Sequence, residues 1–373
     1  MRTAQYAAAR AVVQKVQSHF SHHAGEARDG LAAPADADAI ETIIDAAFWA
    51  SLRREEGYPP TISLAFVSPE QARRPLVFER PFALTPEALT RLAPAVERPG
   101  IHLGVWRVDG GLAVWGMTRG LPPFCFVVEV AAPGLLVVKH RRREESGKFV
   151  NVAVLEGDQI KLIDERAARV PDCPALVTSL LGFDSTAPAD SVNVLAALAV
   201  SMRQHGRGGS LLLVPGGTET WRESILRPIA YSVVPFSELA GLMAVPAERR
   251  KDQQWNDAFR RSVDAIAGLT AVDGATLMTD RYELLAFGAK IGRREGAPRI
   301  EQVVVTEPVE GFEASATHPA QLGGTRHQSA AQFVHDQHDA LAMVASQDGR
   351  FTIFAWSPCD ERVYAHRAEA LLL

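Results

Sequence analysis

Two short segments carry side chains whose types and spacing could do chemistry. The first is Asp273-Gly274-Ala275, which follows an amphipathic helical stretch and opens the apolar run Ala275–Met278. Small residues let a flat ligand approach the backbone, and a carboxylate can hold a divalent cation. Asp-Gly is also an ordinary turn sequence, so by itself this segment reads first as structure. The second is Gly323-Gly324-Thr325-Arg326-His327-Gln328-Ser329-Ala330. Its glycines free the backbone, and a helix beginning at Thr325 presents N–H groups and the positive end of its dipole. Thr325, Arg326, His327 and Ser329 supply further donors. This is the chemistry of a phosphate cradle, with a plain capped helix start as the alternative.

Other polar clusters read as structure. His19 and His23 stand at i, i+4 beside His22, but no third metal ligand is near, which suits a solvated helix end. The basic run Lys139–Arg143 is followed at once by Glu144 and Glu145, without interleaved aromatics. It reads as a solvated strand end or a small-anion contact rather than a nucleic-acid surface. Trp106 and Trp115 flank a turn and fit a packed β core, a stacked ligand being the alternative. Gly216–Ser224 lacks the lysine of a phosphate-binding GxxxxGK[ST] loop, and no GxSxG, HExxH or GxGxxG is present.

Elements that must position these groups follow from periodicity. A first helix carries Val12, Val16 and Phe20 on one stripe and leads into a linker, so residues 1–37 are expected at the periphery. A second helix is predicted over 38–56, capped by Asp38, with Ile40, Ile43, Ile44 and Phe48 in phase. A strand follows over 61–67, and Thr85-Pro86 opens another helix. From residue 100 the pattern changes to hairpins, one turning at Asp109-Gly110-Gly111 and another at Glu156-Gly157-Asp158. The Pro-rich stretch 166–190 is the expected boundary, with the cut near 184–190. Beyond it the pattern is α/β: a helix capped by Asp190 or Ser191, the buried strand Ser210–Val214, a helix marked by Phe259, Val263 and Ile266, further strands over 283–291 and 302–305, and a hairpin around Asp348-Gly349. The expected domains are therefore an N-terminal α+β, β-rich domain over 38–185 and an α/β domain over 190–373, with a mixed sheet flanked by helices.

The 373 residues are 47% hydrophobic and 22% charged, with a formal net charge of −5. That balance suits a folded chain with no global attraction to nucleic acid or anionic membrane. Cys125, Cys173 and Cys359 lie far apart and suit a reducing compartment. No stretch has the length of a membrane-spanning helix, and the N-terminus lacks the apolar core of a secretory signal. A cytoplasmic location is expected.

Asp-Gly-Ala, then Gly-Thr-Arg-His, then a strand ending at Ser346, in that order, resembles the diadenylate cyclase (DAC) domain over residues 190–373. The β-rich half is similar to the DACNV probable sensor domains found ahead of such domains. The resemblance implies a mixed sheet wrapped by helices, ATP as substrate, Mg²⁺ or Mn²⁺ as cofactor, and a cyclic dinucleotide, cyclic di-AMP, as product. It also implies a homo-oligomer with DAC-like domains face to face, under control of the sensor. On this resemblance Asp273 holds the metal near the 3′-hydroxyl, Gly274 and Ala275 line the nucleoside, and Gly324, Thr325, Arg326 and His327 hold the phosphates. Gln328 and Ser329 adjoin them, and Ser346 stands at the pocket edge. The catalytic residues are then Asp273, Arg326 and His327. Two positions depart from the family pattern. Gln328 stands where that pattern has a second arginine, and Gln347 where it has a glutamate near the metal. The second reading they open is a nucleotide-binding sensor of the same fold without turnover.

Overall fold

The computed structural model describes residues 5–24, 30–141, 149–164, 193–229 and 236–373. The chain divides into two compact units, Met1–Ile163 with Leu373, and Asp164–Leu372. The cut expected near 184–190 lies outside the described residues.

The first unit holds β1 (Ile62–Phe66), β2 (Leu76–Ala83), β3 (His102–Val108), β4 (Gly111–Thr118), β5 (Phe126–Ala132), β6 (Leu135–Arg141), β7 (Phe149–Glu156) and β8 (Gln159–Leu162). They form one mixed sheet in the order β2-β4-β3-β1-β5-β6-β7-β8, in which β1 and β3 are parallel. Its turns follow their sequences. Asp109 and Gly110 both take positive φ, at 49° and 83°, the conformation that joins two twisted strands tightly.

Helices α1 (Ala7–Ala24) and α2 (Ala37–Ser51) share a core with this sheet. Val12, Val16 and Phe20 of α1 are buried with Ile40, Ile43 and Ile44 of α2 and with Leu64, Leu103 and Leu136. The segment expected at the periphery is thus part of the core. The cap of α2 is Asp36 rather than Asp38: its carboxylate accepts from the Ala39 N–H at 2.8 Å and pairs with Arg107. The helix stops at Ser51, short of the expected residue 56, because the chain reverses through Gly57 at φ +89° and a Glu55–Tyr58 bridge. Thr85 caps α3 (Pro86–Val96) as its sequence dictates. Strand β2 escapes the periodicity because it lies at the sheet edge and is largely exposed, Leu76 at 54% and Val77 at 56%, with Phe78 and Phe82 only partly buried against the core.

The second unit places β9 (Gly209–Val214), β10 (Ile225–Leu226), β11 (Ala275–Thr279), β12 (Leu284–Ile291), β13 (Val303–Thr306), β14 (Ser315–Thr317), β15 (Leu341–Ala345), β16 (Phe351–Ser357) and β17 (Arg362–Arg367) in the order β10-β12-β11-β9-β15-β16-β17-β13-β14. Pairs β9/β11 and β13/β17 are parallel and the rest antiparallel. Both faces are covered, which is why the central strands read as unbroken apolar runs. Leu211, Leu213, Met343 and Ile353 face α4 (Val194–Gln204), α5 (Glu238–Ala244) and α6 (Gln253–Thr270). Their neighbours Leu212, Val214, Ala342 and Val344 face the other way, into the layer of α8 (Thr325–Asp336), which follows the single-turn α7 (Pro319–Leu322). Asn193 caps α4, its side chain accepting from the Ala196 N–H at 2.9 Å; the expected caps, Asp190 and Ser191, lie outside the described residues.

Candidate functional site

Strand direction explains how distant segments of the second unit meet. Because β9 and β11 are parallel, their N-terminal ends lie on one edge of the sheet. Antiparallel β12 and β15 bring their C-terminal ends to that same edge. A cavity of about 540 Å³ opens there. Asp273, Gly274 and Ala275 reach it from the start of β11, and Ser346 and Gln347 from beyond β15. Gly324, Thr325, Arg326, His327 and Ser329 reach it from the first turns of α8. Gln328 does not line this cavity; it lines a neighbouring one of about 410 Å³.

Asp273 stands at the mouth, its side chain 89% exposed, and Lys290 Nζ lies 2.5 Å from its carboxylate. The hydrogen bond from Lys290, then that ammonium's charge, hold the carboxyl below its usual range, with Arg326 adding to the effect. Lys290, at the end of β12, lies outside the pattern read from sequence. The Ala275–Ala289 register brings it here. Gly274 has φ +111°, and a Cβ on it would stand 2.6 Å from the Gly288 carbonyl carbon and 2.8 Å from the Ala289 oxygen. What needs the glycine is therefore the backbone of β12, not the approach of a ligand.

Among the described residues no side chain caps α8, whose N-cap is Gly324; the His327 N–H donates to the Gly324 carbonyl at 3.1 Å, which leaves the N–H groups of Thr325 and Arg326 open to a ligand. Gly208, at φ +70°, clears space beside Arg326: a Cβ there would lie 2.9 Å from Nη1. His327 is buried, its ring against Gly323, where a Cβ would stand 2.4 Å from Nδ1. Burial lowers its pKa and favours the neutral imidazole. Two residues that line the cavity, His327 and Ser210, each bury a polar atom, Nε2 and Oγ, that has no hydrogen-bond partner among the described residues. Such orphans are the exception in folded proteins and suit a ligand that supplies the partner. Ser210 is a second residue that sequence reading missed, hidden inside an apolar run. Gln347 donates from its amide to the Arg207 carbonyl at 3.4 Å. Asp348, beyond the lining, is held ionised chiefly by the Ser346 hydroxyl.

Other groups weighed in the sequence sit elsewhere. Trp115 is core, its Nε1 donating to the Val67 carbonyl at 2.8 Å, and Trp106 packs on Phe66. His19 rests against Phe20 and His140 rather than in solvent; the side chains of His22 and His23 lie outside the described residues. Lys139 is paired with Glu129, so the basic run begins inside the sheet, and Arg142–Glu145 lie outside the described residues. Among the described residues no group of three or more His, Cys, Asp or Glu gathers to hold a metal ion.

The model of the family described as probable sensor domain DACNV matches residues 29–119. No curated protein matches the chain. Among solved structures, one similar over part of its length is the hypothetical membrane spanning protein from Bacillus cereus, at 14% identity and a TM-score of 0.24. That alignment takes in 45% of this chain and 59% of the other, less than two thirds of its length, and is too slight to bear on the fold. No helix among the described residues is long and apolar enough to cross a membrane.

Proposed function

We propose that the second unit binds ATP in the 540 Å³ cavity and that two such units, face to face, join two ATP molecules into a cyclic dinucleotide under control of the first unit. The observation that carries this reading is the convergence, on one sheet edge, of the Asp273 carboxylate, a helix start that bears Arg326 and that no side chain caps, and two residues, Ser210 and His327, each with a buried polar atom that has no partner, all among the described residues. The sequence match to a DACNV sensor over residues 29–119, a domain found ahead of diadenylate cyclase domains, supports it.

In this reading α8 receives the phosphates on its open N–H groups, and Arg326 adds a charge-assisted fork. The cavity aligns a 3′-hydroxyl with the α-phosphate of the opposite nucleotide; an O–P bond forms, the bond to the β-phosphate breaks, pyrophosphate leaves and the hydroxyl proton passes to solvent. A single ionised carboxylate fits a divalent cation that arrives with the nucleotide, the usual mode for Mg²⁺, and does not fit a cation held by protein alone. Asp273 would hold it together with the phosphates, and it would neutralise their charge.

A second reading, a nucleotide-binding sensor without turnover, is favoured by one observation. Asp273 is the sole carboxylate among the described residues lining the cavity, and Lys290 already occupies it. Incubating the full chain with ATP and Mn²⁺ and separating the nucleotides decides between them. Turnover predicts a cyclic dinucleotide and pyrophosphate, with yield per protomer rising with protein concentration. Binding without product selects the sensor, and absence of ATP binding overturns both. Arg326→Ala removes a contact of about 1.5–3 kcal/mol and should weaken ATP binding about tenfold or more by calorimetry.

A further inference from the structure

The segment between β12 and β13 is tied to one stripe of α8. Asp336 accepts from the Arg294 N–H at 2.8 Å and from Gln332 Nε2 at 2.8 Å. Gln332 accepts from the Ile300 N–H at 2.9 Å and donates to the Pro298 carbonyl at 3.1 Å. Residues 328, 332 and 336 succeed one another on the same helix face. Gln328 is the next position of that stripe toward the helix start, and there the segment stands away from α8 and the 410 Å³ cavity opens. It shares Ile291, Thr325 and Ser329 with the larger cavity, so the two meet across the first turn of α8.

The smaller cavity is basic. Arg293, Arg299 and His318 line it, and no carboxylate does among the described residues. Arg294 is committed to Glu223 at 2.7 Å, whereas Arg293 and Arg299 take part in no ion pair among the described residues. His318 accepts from the Ala320 N–H through Nδ1, which puts the proton of the neutral ring on Nε2 and leaves a donor. The docked segment thus holds two uncommitted guanidinium groups beside an open helix N-terminus before any ligand arrives.

We propose that this smaller cavity is a phosphate subsite that receives the terminal phosphate groups of a nucleotide whose nucleoside lies in the larger cavity, with Arg293 and Arg299 as its cationic ligands. The assignment rests on the reading that the larger cavity takes a nucleotide. Forked guanidinium donors match phosphate oxygens bidentately, and a site already in place spends less on ordering when it binds.

The test is calorimetry on the full chain with ATP, AMP and inorganic pyrophosphate, comparing the parent with Arg293→Ala/Arg299→Ala. Both arginines are exposed, so the fold should survive; an equal charge change at Arg260 and Arg261 of α6 controls for bulk electrostatics. The expected result is ATP affinity at least tenfold lower in the double variant, AMP affinity within twofold of the parent, and no change in the α6 control. Unchanged ATP affinity in the double variant, or equal losses for ATP and AMP, overturns the subsite. Should the parent bind neither nucleotide, the reading of the larger cavity fails separately. Pyrophosphate then decides: binding to the parent that the double variant loses upholds the subsite, and no binding to the parent overturns it.

Discussion

Asp273 and Lys290 hold each other 2.5 Å apart at the cavity mouth, so a cation reaching this carboxylate must displace an ammonium already there. Lys290→Ala removes both the hydrogen bond and the charge that depress the Asp273 pKa. The carboxyl should therefore titrate at higher pH in the variant, toward the ordinary aspartate value, when followed by carbon NMR of the side chain. An unmoved midpoint would show that the pair does not form in solution. Lys290 was not legible beforehand, because its meeting with Asp273 depends on strand register, and that register shifts twice along β11 and β12. Asp273, Arg326 and His327 were legible because short-range spacing fixes them relative to Gly274 and to the start of a helix. Ser210 had no signal: a serine in an apolar run becomes conspicuous only once its hydroxyl is seen to have no partner among the described residues.

The β11–β12 pair shapes the cavity through close backbone approach. Gly274→Ala places a methyl group 2.6 Å from the Gly288 carbonyl carbon, at a φ that alanine rarely adopts. Strain and overpacking together should destabilise the second unit by about 2–4 kcal/mol. A melting temperature lowered by several degrees would register this, and an unchanged one would mean that the strands do not approach so closely. Elements with strong local signals were readable. The Asp-Gly hairpins, the Thr85-Pro86 helix start and the buried Ser210–Val214 strand all carry their cause within a few residues. Elements that depend on partners were not. Edge strand β2 has no alternation to show, the place of α1 in the core depends on contacts with α2, β7 and β8 and on Phe20 against Phe126 of β5, and β17 is placed by its neighbours in the sheet. The docking of residues 294–300 on Gln332 and Asp336 is likewise a contact between segments far apart in sequence.

Across the whole molecule, each unit buries a histidine whose neutral form the fold requires. His102 shares a hydrogen bond with Ser63 at 2.7 Å in the first unit, and His366 one with Thr306 at 2.6 Å in the second. Burial, aided at His102 by the charge of Lys139, pushes both down to about 4 from 6.5. The unfolded chain therefore binds more protons than the folded one between those values, so stability is complete above about pH 6.5 and falls as the pH drops toward 4. Each histidine contributes up to about 1.4 kcal/mol per pH unit in that window. Urea unfolding at pH 7 and pH 5 should show the loss, and His102→Gln should flatten the part belonging to the first unit; equal stability at both pH values would contradict the burial. The strand order β11-β9-β15 has a consequence for how the chain is made. As the polypeptide emerges from the ribosome, β9 can find β11 long before β15 exists, leaving the edge of Gly209–Val214 bare while the next sixty or so residues are still being translated. An apolar strand with an open edge is a template for other nascent chains, and only the arrival of Leu341–Ala345 closes it. The same late strand leads into Ser346 and Gln347 of the cavity, so the protein loses its stickiness and completes its pocket in one step of synthesis.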